Sequence, residues 1–200
     1  SSPGALGEKP AIISDVKPFE IPYFDHSEPL FLSQSSQLYL EAYILMTKFD
    51  RVYVVGKSFR NESSDFRHLT EFRHAEYEGF GSLEDILIVQ ERMIRYLIQE
   101  LVENCEASLH FFLSDEDFKA LDLPAGQFAR VTFDEAFSEL YRESKDTKYH
   151  PDSVTVASFD AKAEVLLTEL VGDAKPVFVT YYPLSEVAFY HAVSPSRPTR

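Results

Sequence analysis

The sequence predicts an α+β fold, and three observations carry that reading. Residues 52–80 alternate with the two-residue period of extended chain on both sides of a polar loop. Two other segments, 35–49 and 82–105, repeat apolar residues at three- and four-residue spacing, as amphipathic helices do. Strands arriving as a hairpin, rather than singly between helices, favour α+β over a parallel βαβ arrangement.

In chain order, SSPGALGEKP reads as a loop or flexible start. Residues 17–23 read as a short edge strand interrupted by Pro18 and Pro22. A helix follows, capped by Ser35 or Ser36, with Leu38, Ala42, Leu45 and Phe49 as its expected buried stripe. Gln34 and Gln37 lie at its mouth, where an amide can reach a ligand or satisfy loop backbone.

In the hairpin, alternation sends Gly56, Ser58, Arg60 and Glu62 to one face, and Tyr53, Val55, Lys57 and Phe59 to the other. On the second strand Phe72, His74, Glu76 and Glu78 align. Small residues, an aromatic ring, two carboxylates and a guanidinium suit a flat base, a phosphate and an amine. The same pattern also describes a solvated hairpin with scattered charges. His74, Glu76 and Glu78 could be read as metal ligands, but in-line neighbours on a strand stand roughly 6.5–7 Å apart, far for one ion.

Beyond the hairpin, Ser82-x-x-Asp85 resembles a capping box for a long helix. Ile86, Met93, Leu97 and Leu101 mark its apolar line, widened by Leu87, Ile94 and Ile98. Glu91, Arg92, Arg95, Glu100 and Glu103 read as its solvated face. Residues 109–113 are a strand or the end of that helix, and SDEDFKALDLPAGQ is a polar excursion. Residues 128–131 read as extended, Thr132-x-x-Glu135 caps a helix over 133–143, and 144–153 form an exposed loop. A helix over 160–171, with Leu166, Leu167, Leu170 and Val171 inward, precedes a buried strand at 176–182 and a loose tail.

Composition bounds the function. Two hundred residues fit one domain, and 44% apolar content argues against disorder throughout. No apolar run approaches the roughly 20 residues that span a bilayer, and no leader pattern opens the chain, so no membrane partner is expected. The single cysteine, Cys105, excludes an intramolecular disulfide framework, fits a cytoplasmic setting, and reads as a buried thiol near a helix end. A net charge of −14 without clustered Lys and Arg argues against a nucleic-acid surface concentrated here.

FRNE at 59–62 and RHLTEFRHAEYE at 67–78 resemble the second signature motif of class II aminoacyl-tRNA synthetases, closest to the asparaginyl and aspartyl branch. YFDHSEPLFLSQSSQLYLE at 23–41 and KPVFVTYYPLSEVAFY at 175–190 resemble the asparaginyl branch at corresponding places. The resemblance implies an antiparallel β-sheet flanked by helices, and one catalytic domain over residues 1–200. That domain would lack the first-motif helix, which would end at Pro3, and the glycine-rich third motif.

The resemblance also implies a reaction, ATP-dependent amino-acid activation, in which a carboxylate joins the α-phosphate and pyrophosphate leaves. Arg60 is then the catalytic phosphate ligand. Glu62 and His68 hold the adenine edge and distal phosphates, Phe72 stacks on adenine, Gln37 and Glu76 surround the amino acid, and Glu78 binds Mg²⁺. Leu40 stands where the aspartyl branch carries a lysine, which leans the substrate towards asparagine or a close analogue. The enzyme would be an asparaginyl-tRNA synthetase-like ligase or a tRNA-independent paralog, acting as a homodimer through a segment outside this sequence. The chain departs from the family at Arg73, His74 and Val187 and in the third motif. Those departures motivate the alternative of a non-catalytic, synthetase-derived binding or regulatory module.

Overall fold

The computed structural model describes residues 18–24, 28–61, 68–123, 125–150, 159–187 and 190–197. They fall into two units, one within Ile13–Ser82 and one within Leu83–Arg200. The expected roles of Pro3 and Glu62 lie outside the described residues.

In the first unit, β1 (Glu20–Ile21) pairs antiparallel with β2 (Leu30–Phe31). The strand expected over 17–23 shrinks to Glu20 and Ile21, two of the three residues between Pro18 and Pro22, because proline has no N–H for a ladder. The helix α1 (Gln37–Met46) follows, then β3 (Arg51–Phe59) and β4 (Glu71–Gly79). The last two form an antiparallel ladder without a bulge, from Arg51 opposite Gly79 to Phe59 opposite Glu71. Burial alternates along both strands in the expected phase, with Val52, Val54, Gly56 and Ser58 inward beside Phe72, His74, Glu76 and Glu78.

The buried residues of α1 are Leu40 and Ile44, whereas Leu38, Leu45 and Phe49 are exposed. The expected stripe was therefore on the wrong face. This helix is apolar nearly all round, so spacing alone does not select a side. Its rotation is fixed instead by a polar tether at its start, described below.

The second unit opens with α2 (Leu83–Phe112), which includes residues 109–112 and leaves helical geometry at Cys105 (φ −130°, ψ 19°). Cys105 is exposed at this kink rather than buried. The inner side of α2 carries Leu87 and Glu91, with Ile86, Ile94 and Ile98 half-buried; Met93, Leu97 and Leu101 are exposed. Glu91, expected in solvent, is buried because its carboxylate accepts from Arg95 Nε (3.0 Å), Arg95 Nη2 (2.9 Å) and the Phe128 backbone N–H (3.2 Å). The polar excursion contains a short helix, α3 (Asp115–Ala120), with Ser114 Oγ accepting from Asp117 N and three acidic residues in its first turn, where the helix dipole favours them.

The Thr132–Glu135 capping box forms in full at the start of α4 (Phe133–Ser144), directly after β5 (Ala129–Thr132). A 3₁₀ turn at Thr147–Tyr149 buries Tyr149 against Phe137, correcting the exposed-loop expectation there. Asp160 caps α5 (Ala161–Gly172) and leads through it to β6 (Val177–Thr180). The last strand pairs with β5 in parallel, so the α+β layout includes one parallel pair besides the antiparallel hairpins. Phe133, Ala136, Phe137, Leu140, Tyr149, Ala163 and Leu167 form the core, with Val131, Phe159, Val179 and Tyr182 packed on it. No helix of the described residues is long and apolar enough to cross a membrane.

Candidate functional site

The inward face of the β3–β4 ladder gathers most of the residues singled out in the sequence. Arg60 continues the ladder by one hydrogen bond, its N–H donating to Thr70 O at 3.0 Å. Its guanidinium lies 5.4 Å from the centroid of the Phe72 ring, within cation–π range. The Phe72 ring in turn lies 5.6 Å from that of His74. His68 is exposed. Opposite His74 stands Gly56, where an added Cβ would meet nothing within 4 Å. The middle of the face is therefore open ground.

The far end of the face is organised by the start of α1. Ser36 makes no side-chain capping bond, and the first turn contains no acidic residue. The anion comes from across the ladder. The Ser36 N–H donates to both oxygens of Glu76, at 3.0 and 2.8 Å, and Ser35 Oγ donates to Oε1. Ser35 Oγ also accepts from Gln37 N at 3.1 Å, so helix start and strand share one hydrogen-bonded chain. A carboxylate at a helix N-terminus is favoured by the unsatisfied N–H groups and the dipole there.

Burial works against ionisation of Glu76. The bonds from Ser35 and Ser36 and the neighbouring His74 outweigh it and hold the carboxyl below its ordinary value. Glu78 goes the other way: burial and the nearby Glu41 carboxylate raise it, with a Gln37 side-chain hydrogen bond opposing. Two carboxylates on one strand thus sit in opposite electrostatic settings. Leu40, the residue that leaned the reading towards asparagine, is buried within α1.

The structure brings Arg60 to Phe72, Glu76 to the helix start, and Gln37 to Glu78. His74 Nδ1 lies 3.1 Å from the Ser58 hydroxyl and 3.6 Å from Glu76 Oε1. Among the described residues no group of three or more His, Cys, Asp or Glu side chains could hold a metal ion. Sequence reasoning missed that Ser35 and Ser36 grip Glu76. The available signal was a two-serine helix start without an acidic residue in its first turn.

Elsewhere, in the second unit, a groove of about 650 Å³ is lined by Ile98, Val102, Phe118, Leu121 and Leu123 among others, with none of the residues singled out for chemistry.

A family model described as tRNA synthetases class II (D, K and N) matches residues 8–199. The asparagine–tRNA ligase of Streptococcus mutans is 39% identical over 191 residues, covering 91% of this chain and 40% of that protein. Its counterpart in Thermococcus kodakarensis is 35% identical over 184 residues, covering 91% and 40%. The Entamoeba histolytica asparaginyl-tRNA synthetase, solved in complex with asparaginyl-adenylate, matches with a TM-score of 0.70 and 28% identity, over 91% of this chain and 39% of that one. The chain spans about two fifths of the length of these relatives. With nearly its whole length matched, it belongs to the class II tRNA synthetases of the D, K and N group.

Proposed function

We propose that this chain is part of the activation core of an asparaginyl-tRNA synthetase-like enzyme, joining asparagine or a close analogue to the α-phosphate of ATP. One observation carries the reading. One face of the β3–β4 hairpin holds a guanidinium over an aromatic ring at one end, an anchored carboxylate at the other, and open space between. Activation concentrates negative charge at phosphorus, and a fixed arginine stabilises it as a bidentate, always-charged donor. Arg60 takes that role, Phe72 offers its ring to adenine, and Glu62 and His68 take the adenine edge and distal phosphates. At the other end Glu76, ionised and pre-oriented by Ser35 and Ser36, pairs with the substrate ammonium, and Gln37 sets the amino-acid geometry.

Mg²⁺ fits the donor set as a lightly held ion. It takes one or two carboxylates and leaves its other positions to phosphates and water, and Glu78 supplies a hard oxygen donor beside Glu41. When bound, it would offset phosphate charge. The two units belong, in this reading, to one catalytic domain, supported by a family match that runs through both. For the full-length protein we extend the proposal to tRNA as acceptor, a cytoplasmic setting, and a homodimer measurable by light scattering.

The test is ATP–pyrophosphate exchange with a panel of amino acids. Asparagine should drive exchange at least tenfold faster than aspartate. No exchange with any amino acid would remove the activation reading and leave the binding module in its place.

A further inference from the structure

Resting on the activation reading above, we propose that His74 is an adenylate-contacting residue of this site, presenting its Nε2–H to the oxygens of the acyl–phosphate junction in the aminoacyl-adenylate.

Ser58 is 2% exposed, and its hydroxyl pairs with His74 Nδ1 at 3.1 Å. A neutral imidazole carries one proton, on one nitrogen or the other. If Nδ1 carried it, the buried Ser58 O–H would be left without that acceptor. Glu76 Oε1, at 3.6 Å from Nδ1, is beyond hydrogen-bond reach and already takes donors from Ser35 and Ser36. In the neutral ring with the Ser58 hydroxyl donating to Nδ1, the proton sits on Nε2, and in the charged ring Nε2 carries one as well. With Nδ1 turned to a buried partner and 31% of the side chain exposed, Nε2 is the nitrogen left for a ligand.

The register places that donor. Phe72 with Arg60 lies one inward step to one side of His74, Glu76 with its serines one step to the other, and open Gly56 directly across. Alternate strand residues are roughly 6.5–7 Å apart. A ligand with its base at Phe72 and its ammonium at Glu76 must lay the mixed anhydride between them, over Gly56 and beside His74. The oxygens there are acceptors only, so a fixed N–H matches them and an apolar side chain does not. His74 moves no proton in this role.

The experiment uses the full-length protein with three substitutions and two probes, ATP and the non-hydrolysable asparaginyl-sulfamoyl adenosine, titrated by calorimetry. Glutamine places an amide N–H near the Nε2 position, asparagine near Nδ1, and methionine offers no donor. We expect the sulfamoyl compound to bind at least tenfold more weakly to His74→Met and His74→Asn, and within threefold of wild type to His74→Gln. ATP affinity should change less than threefold throughout. In exchange assays His74→Met should lower kcat ten- to a hundredfold with KM values within threefold. His74→Met binding the analogue within twofold of wild type overturns the proposal and leaves the activation reading standing, as does rescue by asparagine in place of glutamine. A wild-type protein that binds neither probe overturns both. Should His74→Met fail to fold by circular dichroism, the glutamine and asparagine variants decide, and equal affinities overturn the proposal.

Discussion

Replacing Glu76 with glutamine separates the two jobs its carboxylate performs. The side chain is 9% exposed and takes three contacts from Ser35 and Ser36, at a helix start with no side-chain cap from Ser36. Glutamine keeps one acceptor oxygen but turns an NH₂ donor towards N–H and O–H donors. Losing one charge-assisted bond costs about 1.5–3 kcal/mol, a fall in Tm of about 3–12 °C for a domain of this size. The pH dependence has a definite sign. The Glu76 carboxyl is held below its ordinary value of 4.5 in the folded protein, so its stabilisation is complete above about pH 4.5 and is lost as pH falls through the lower, folded value. Urea titrations at pH 7, 5, 4 and 3 should show the gap between wild type and Glu76→Gln closing on acidification. The Glu76 charge is the least of the causes that raise Glu78, so the substitution also relieves Glu78 slightly, a smaller effect that narrows the gap at neutral pH. Calorimetry at pH 7 should show asparagine affinity down by about tenfold to a hundredfold from the same lost charge. A stability difference under about 0.5 kcal/mol, or a gap constant with pH, would refute the anchoring argument. Unchanged asparagine affinity with the stability loss intact would leave Glu76 a structural cap alone.

Two other substitutions test separate parts of the picture. Arg60→Ala should weaken ATP by at least tenfold, from the loss of about 1.5–3 kcal/mol, with an unchanged urea midpoint because this exposed side chain leaves no core cavity; unchanged ATP affinity would sink its phosphate role. Glu91→Ala should destabilise the protein by about 2–4 kcal/mol by removing the acceptor of the Phe128 N–H and the counter-charge of the partly buried Arg95. A urea midpoint matching wild type would show that solvent reaches this pair.

The hairpin face was legible because a two-residue period on a ladder without bulges leaves little freedom: once Ser58 points inward, so do Gly56 and Val54. The Thr132–Glu135 cap was equally legible, being a contact between residues three apart. What escaped depends on distant partners. Nothing local marks Glu91 as buried, since Arg95 one turn on looks like a surface pair until the Phe128 backbone arrives. The face of α1 was misread because Leu38 and Leu40 are equally apolar, and the choice between them is made by Glu76, forty residues on from Ser36. Tyr149 was hidden in a polar segment whose single large ring finds Phe137 only after α4 has formed. The parallel pairing of β5 and β6 left no short-range pattern at all.

That parallel pair sets a tempo for assembly. The β3–β4 hairpin first closes across Arg60 and Thr70, ten residues apart, and can zip outwards from there through Phe59 and Glu71. Every rung between β5 and β6 joins residues forty-eight apart, and two helices must be laid down before the second strand can return. Loop-closure entropy grows only slowly with length, but it opposes pairing before any rung repays it, so non-local pairing is slow. The hairpin that holds the site is thus built to form early, while the parallel pair waits on its crossover. In a newly made chain, Val177–Thr180 would remain an open strand edge until α5 has docked.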